Sequence, residues 1–272
     1  MGRGIAAVSV IGGYRTMLHD PDSEALKKAG ARVSAALEAA SAAGSVTGEE
    51  SILARDRLHL VKSLDEAARE ADLVIEAVPE SMALKLEIFR ALDKLAPPTA
   101  LLATNTSSLS ITEMAAVTGR APRVVGMHFF NPVWRMKLLE VVRGLATSDE
   151  AVQTAVEVGE KMRKECVVVR ESPGFVTTRI NAMIGNEAFY MLQEGVASAP
   201  DIDKALKLGL NHPMGPFELG DLVGLDTRLS ILRHLHRTLG DKFRPCPLLE
   251  QSVAAGRLGR KSGRGVYEYP EA

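Results

Sequence analysis

An α/β half followed by an all-helical half is the architecture this sequence predicts. Up to about residue 170, short apolar runs that end in polar residues alternate with helical stretches, the pattern of a mostly parallel sheet covered on both faces. From residue 171 onward helical periodicity continues without convincing strands, punctuated by Gly and Pro in "NHPMGPFELGD" and "RPCPLL". A third observation lies in the opening "MGRGIAAVSVIGGYRTMLHD", where a glycine precedes an apolar helical run and an Asp closes a strand-like run.

That opening matches the later part of a dinucleotide-binding signature, in which a strand enters G-x-G-x-x-G, a helix follows, and a second strand ends in an acid about 20 residues on. Gly2 takes the place of the last glycine, "RGIAAVSVIG" is the helix, "YRTMLH" the second strand and Asp20 the acid. The first half is therefore expected to be Rossmann-like with its first, central strand absent. Such a strand is costly to lose, because its removal exposes two strand edges and the apolar faces of the covering helices. The expectation is an N-terminally shortened version of a longer natural chain.

The remaining elements follow in order. "DSEALKKAGARVSAALEAASAAG" has helical composition, with Asp22 or Ser23 placed to cap it, and reads as one long helix or as an antiparallel pair broken at Gly30. "LHLVKS" and "DLVIEAVP" read as strands on either side of a short helix, "LDEAARE"; a further helix, "MALKLEIFRALDKLA", precedes the buried-strand run "ALLATNTS". The alternation continues through "ITEMAAVT", "RVVGMHFF", "LLEVVRG", a helix at about 149 to 163, and "CVVVRE". The domain boundary is placed near residues 170 to 172, dividing the chain into 1–170 and 171–272.

Bulk properties narrow the function. A chain of 272 residues has room for two domains, and its formal net charge of -1 leaves no global positive field for nucleic acid or acidic membranes. Cys166 and Cys246 lie far apart with no CxxC and no His at ligand spacing, which argues against a disulfide framework or structural zinc and fits a reducing cytoplasm. No apolar run approaches the ~20 residues of a membrane span, and the N-terminus lacks signal-peptide regions. A soluble intracellular protein is expected.

Three strand-end polar clusters are the candidates for chemistry. Asp20 reads as a carboxylate for adenosine ribose hydroxyls, which would repel a 2′-phosphate and favour NAD over NADP, or as a helix-capping Asp in a turn. Asn105, Thr106, Ser107 and Ser108 follow a buried strand, where ligands bind in open α/β sheets; the alternative is a polar loop capped by Ser108 or Ser110. His128 ends another strand and Glu140 lies in the next apolar run. An imidazole can take an alcohol proton near neutral pH while a carboxylate on its far nitrogen fixes the tautomer. Taken singly, His128 also reads as a packed core histidine and Glu140 as part of a solvated face.

The motifs "NTSSLSIT", "GMHFFNPVWRMKLLEVV", "SPGFVTTRINAMIGNEA", "KLGLNHPMGPFELGDLVGLD" and "GRLGRKSGRGVYEY" stand in one order along the chain. Together they resemble the 3-hydroxyacyl-CoA dehydrogenase family, close to the 3-hydroxybutyryl-CoA dehydrogenases, over essentially the whole chain from residue 2. The resemblance implies reversible NAD-dependent oxidation of the 3-hydroxyl of an acyl-CoA, a step of fatty-acid β-oxidation, by a homodimer formed through the helical half. It implies that His128 is the general base paired with Glu140, that Ser107 bonds the substrate oxygen, and that Asn131 belongs to the same motif. It also implies that Glu80, Lys85 and Asn105 lie at the dinucleotide, with Gly2 and Asp20, and that no metal is involved.

Besides the shortened opening, the chain departs from the family's pattern in two places. Where members have an Asn as a further substrate contact, this chain has Thr178, whose hydroxyl reaches less far, with Asn181 one turn on as a substitute. The helix after Asp20 is mostly alanine, so no CoA contact is carried over from it; Lys27, Lys28 and Arg32 read as a phosphate site or as a solvated face. The alternative readings are a sugar-acid dehydrogenase of gulonate type in the same superfamily, and a non-catalytic dimeric protein that has lost cofactor binding.

Overall fold

The computed structural model describes residues 1–269. Contacts divide the chain into two compact units, Met1–Glu171 and Ser172–Ala272.

The first unit runs α1 (Gly2–Ile11), β1 (Thr16–His19), α2 (Ser23–Ala42), α3 (Gly48–Asp56), β2 (Leu58–Val61), α4 (Leu64–Ala68), β3 (Leu73–Glu76) and α5 (Met82–Leu95). It continues with β4 (Leu101–Thr104), α6 (Ile111–Ala116), β5 (Val124–Phe129), β6 (Leu138–Arg143), α7 (Asp149–Lys161) and β7 (Glu165–Arg170). The strands form two sheets, β1–β2 and β3–β4–β5–β6–β7, parallel throughout except for the antiparallel β5–β6 pair. Among the described residues β1 and β3 are thus each hydrogen-bonded to a strand on one side only, and the strands are interrupted between the β1–β2 pair and the five-stranded sheet.

Helix α1 spans the interruption, which explains why its run "IAAVSV" is apolar on nearly all sides. Ile5 and Val8 join the core of the larger sheet with Leu101, Ala103, Val125 and Leu139. Ala6, Ala7 and Val10 pack with Val33, Leu37 and Ala54, beside Leu18 of β1. The alternative left open for the alanine-rich segment resolves to one continuous helix, α2, capped by Asp22, which accepts from the N–H of Glu24 and Ala25. Gly30 does not break it; a Cβ there would lie 2.7 Å from Leu60 Cδ1, so glycine lets α2 close on β2. Helix α3 was not anticipated, although Thr47 and Glu50 form a capping box at its start.

The second unit holds α8 (Thr177–Gln193), α9 (Ala199–Gly209), α10 (Pro216–Val223), α11 (Leu225–Leu239) and α12 (Pro247–Ala254). Their apolar faces meet in a core that includes Phe189, Ile202, Phe217, Leu229, Leu232 and Phe243, with Phe189 and Phe217 edge to face at 5.2 Å. Two buried carboxylates pin the chain around it. Asp203 accepts from Phe217 N, Glu218 N and the Tyr267 hydroxyl. Asp221 accepts from Val266 N, Tyr267 N and the Tyr269 hydroxyl. Burial, then the hydrogen bond to Asp203, pushes the Tyr267 phenol far above its ordinary value, so it remains a donor. Among the described residues this unit has no strand, only isolated bridges Gly259–Arg264 and Arg264–Glu268.

Candidate active site

The carboxyl ends of β3, β4 and β5 lie side by side because the three strands are parallel and in close register: Glu76 pairs with Thr104, and Thr104 with Gly126. Two residues beyond Gly126, His128 stands directly opposite Glu140 of the antiparallel β6. An opposed antiparallel pair brings side chains to the same face within contact distance. His128 Nδ1 lies 2.7 Å from Glu140 Oε2, with the two side chains 6% and 1% exposed. Phe130 closes over the imidazole at 4.5 Å, tilted by 53°. The solvated-face alternative for Glu140 does not hold, because its side chain is 1% exposed; His128 is buried as well, with its ring on that carboxylate.

A carboxylate facing Nδ1 accepts from the tautomer protonated there, which carries its lone pair on Nε2. That is the tautomer a general base needs.

The loop after β4 approaches the same place. Asn105 donates its N–H to Glu76 O, and its Oδ1 accepts from Phe129 N at 2.9 Å, next to His128. Ser107 is partly buried and donates its N–H to Glu80 Oε1 at 2.9 Å. Of the serines weighed as caps, Ser110 takes that role on α6 through Glu113 N. Lys85 of α5 is 1% exposed; its ammonium bonds Glu76 Oε1 and Oε2 at 2.7 and 2.9 Å and lies 3.4 Å from Glu80 Oε2.

Asp20 and Asp22 divide the roles left open by the sequence. Asp22 caps α2, whereas Asp20 accepts from Asp22 N in a turn and keeps its second oxygen outside that bond. Gly2 begins α1, whose N-cap residue Met1 offers no side-chain hydrogen bond. Asn131 is exposed in the loop between β5 and β6. Thr178 lies in the first turn of α8 in the second unit, and Asn181, one turn on, accepts from Arg228. Lys27, Lys28 and Arg32 are exposed on α2, and Lys27 pairs with Glu24 at 3.2 Å.

Glu76, Thr104 and Lys164 are not singled out in the sequence, whereas Thr106 is among its candidates and donates its hydroxyl to Glu80 Oε1. Glu76 carried a usable signal, since it closes the apolar run "LVIE" as Asp20 follows "TMLH". Lys164 carried none. It precedes β7, yet its buried ammonium donates to Val133 O and to Met136 O at 2.8 Å, tying down the loop that bears Asn131.

Burial lowers the Lys164 ammonium from the ordinary 10.5 to about 8. The unfolded chain then binds more protons than the folded one between those values, so this residue's contribution to stability rises with pH across that window. The difference in denaturation midpoint between the natural protein and Lys164→Met should therefore shift in favour of the natural protein from pH 8 to about pH 10. A difference that does not vary with pH would contradict it.

Among the described residues no group of three or more His, Cys, Asp or Glu is placed to hold a metal ion, and no helix is long and apolar enough to cross a membrane.

The model of the 3-hydroxyacyl-CoA dehydrogenase NAD-binding domain matches residues 1–172, and that of the 3-hydroxyacyl-CoA dehydrogenase C-terminal domain matches residues 174–269. The chain belongs to the 3-hydroxyacyl-CoA dehydrogenase family. It is 49% identical over 272 residues to a probable 3-hydroxybutyryl-CoA dehydrogenase of Bacillus subtilis, covering 100% of this chain and 94% of that protein. The 3-hydroxybutyryl-CoA dehydrogenase of Bradyrhizobium diazoefficiens is 44% identical, over 99% of this chain and 92% of its own. The crystal structure of (S)-3-hydroxybutyryl-CoA dehydrogenase from Ralstonia eutropha superposes with a TM-score of 0.94 at 42% identity, covering 100% of this chain and 96% of that one.

The NAD implied by this family can be tested against the residues present. An unshared carboxylate oxygen on Asp20 suits ribose hydroxyls, the side-chain-uncapped first turn of α1 suits a pyrophosphate, and the Asn105 amide stands beside His128. The donor and acceptor set fits the cofactor.

Proposed function

We propose that this 3-hydroxyacyl-CoA dehydrogenase oxidises short-chain 3-hydroxyacyl-CoA, such as 3-hydroxybutyryl-CoA, and reduces the 3-oxo product in reverse, with His128 as general base. The observation that carries this reading is the buried 2.7 Å contact between His128 Nδ1 and Glu140 Oε2 on facing strands.

Bound NAD supplies the hydride acceptor. The substrate hydroxyl gives its proton to His128 Nε2 as hydride leaves C3, so the alcohol becomes a ketone and the imidazole a cation. Glu140, facing the far nitrogen, stabilises that cation and keeps the ring from rotating. Ser107 Oγ bonds the reacting oxygen, and Asn131 is a further substrate contact. Gly2, Asp20, Glu80 and Asn105 face the dinucleotide. Lys85 supports the same site from the buried side, holding the Glu80 carboxylate. In the reverse direction the imidazolium returns the proton.

The apolar residues Ile180 and Met183 of α8 are exposed, as is Val176 at its N-cap. Their spacing by four and seven positions makes a continuous stripe, which supports a homodimer formed through the helical unit. A cytoplasmic enzyme of β-oxidation fits this reading.

The test is NAD reduction with 3-hydroxybutyryl-CoA beside a sugar acid such as gulonate. Reduction with the thioester alone is expected; turnover of the sugar acid in its place would overturn the assignment.

A further inference from the structure

The Glu76–Lys85 pair is the most deeply buried opposed charge in the first unit that the proposed reaction does not use directly. Each side chain is 1% exposed. Glu76 Oε1 accepts from Val78 N at 2.6 Å and from Lys85 Nζ at 2.7 Å; Oε2 accepts from Thr104 Oγ1 at 2.6 Å and from Lys85 Nζ at 2.9 Å. A carboxylate has about four lone-pair sites, and here four contacts fill them. The group cannot rotate without stranding a buried donor.

Buried ion pairs are weak sources of stability, because well-packed apolar residues often replace them without loss, and their effect is then on geometry. From Glu76 two routes lead to the same short segment. In one, Thr104 Oγ1 donates to Glu76 and accepts from Thr106 N at 3.2 Å. In the other, Lys85 reaches Glu80, whose Oε1 accepts from Thr106 Oγ1 and Ser107 N. Asn105 lies between the two routes, with its Oδ1 on Phe129 N beside His128.

From this we infer that Glu76 is a positioning residue, which sets Ser107 and Asn105 against His128 through Thr104 on one side and Lys85–Glu80 on the other. The inference rests on the proposed reaction for its catalytic consequence, and on the hydrogen bonds alone for its structural one. It makes Thr104 the link that can be cut without disturbing the ion pair, since valine keeps the branched shape and removes only the hydroxyl.

The experiment compares the natural protein with Thr104→Val, Thr104→Ser and Glu76→Gln. Acetoacetyl-CoA-dependent NADH oxidation is followed together with amide hydrogen exchange over residues 105–109. For Thr104→Val, kcat is expected to fall about tenfold, with KM for NADH changing less than kcat because Gly2 and Asp20 lie outside the network, as displacement of a reacting group by a fraction of an ångström would cause. Exchange at Ser107, Ser108 and Leu109 should accelerate about tenfold, with β5 amides unchanged. Thr104→Ser should return kcat to within about threefold of the natural value, because it restores the hydroxyl.

Glu76→Gln should show the same changes, enlarged, if it folds. Unchanged kcat and exchange in Thr104→Val would overturn the inference, as would a loss that serine does not restore. If the natural protein itself fails to oxidise NADH with acetoacetyl-CoA, the reaction reading falls. Exchange then decides alone: acceleration confined to 105–109 supports the inference, and none refutes it.

Discussion

Replacing His128 by alanine is expected to lower turnover by at least ~100-fold while leaving NADH affinity nearly intact. The imidazole supplies the only step in the proposed chemistry that requires a proton acceptor, and its partner Glu140 is already committed to Nδ1. Asp20, Gly2 and Asn105, which form the proposed dinucleotide site, do not depend on the imidazole for their own hydrogen bonds. Steady-state kinetics and a fluorescence titration of NADH on the same preparation separate the two quantities. Turnover equal to that of the natural protein would remove His128 from the mechanism. Because the side chain is buried against Phe130, His128→Gln is the companion variant that fills the space without a base. It should be equally slow.

Glu140→Gln is the second large effect, a fall in turnover of roughly 10³-fold, by the logic of an orienting carboxylate behind a catalytic histidine. The substitution keeps the size of a side chain that is 1% exposed. An amide NH₂ turned toward Nδ1 stabilises the opposite tautomer and places the proton on Nε2, where the base must be vacant. Turned the other way, the amide oxygen still accepts from Nδ1 but carries no charge to stabilise the imidazolium. Both orientations slow proton transfer, and neither touches the proposed dinucleotide site. The measurement is kcat with saturating NADH; more than a tenth of natural turnover would show that Glu140 is packing rather than chemistry.

Much of this was legible in the sequence where the signal is local. Strand runs such as "ALLAT" and "RVVGMHFF" bury both faces, so they read as continuous apolar segments and became β4 and β5. The half fingerprint at Gly2 pointed to a sheet interrupted beside α1, and β1–β2 indeed stands apart from the five-stranded sheet. Between Asp20 and Asp22 the sequence was ambiguous because both are short acids in one turn; geometry gives the cap to Asp22.

What escaped was either overlooked or non-local. Helix α3 was overlooked although Thr47 and Glu50 announce it. Glu76 was passed over because an acid at the end of a buried run looks like the exit of a strand, and only the arrival of Lys85 and Thr104 shows it to be a hub. Lys164 meets carbonyls 31 and 28 residues away, a pairing that no periodicity encodes.

The most direct test of the central claim is to count the products formed when the protein is given acetoacetyl-CoA and NADH. One 3-hydroxybutyryl-CoA is expected for each NADH consumed, with both lost together in His128→Ala. A folded protein that binds NADH yet forms no 3-hydroxyacyl-CoA, or forms it undiminished without His128, would contradict it.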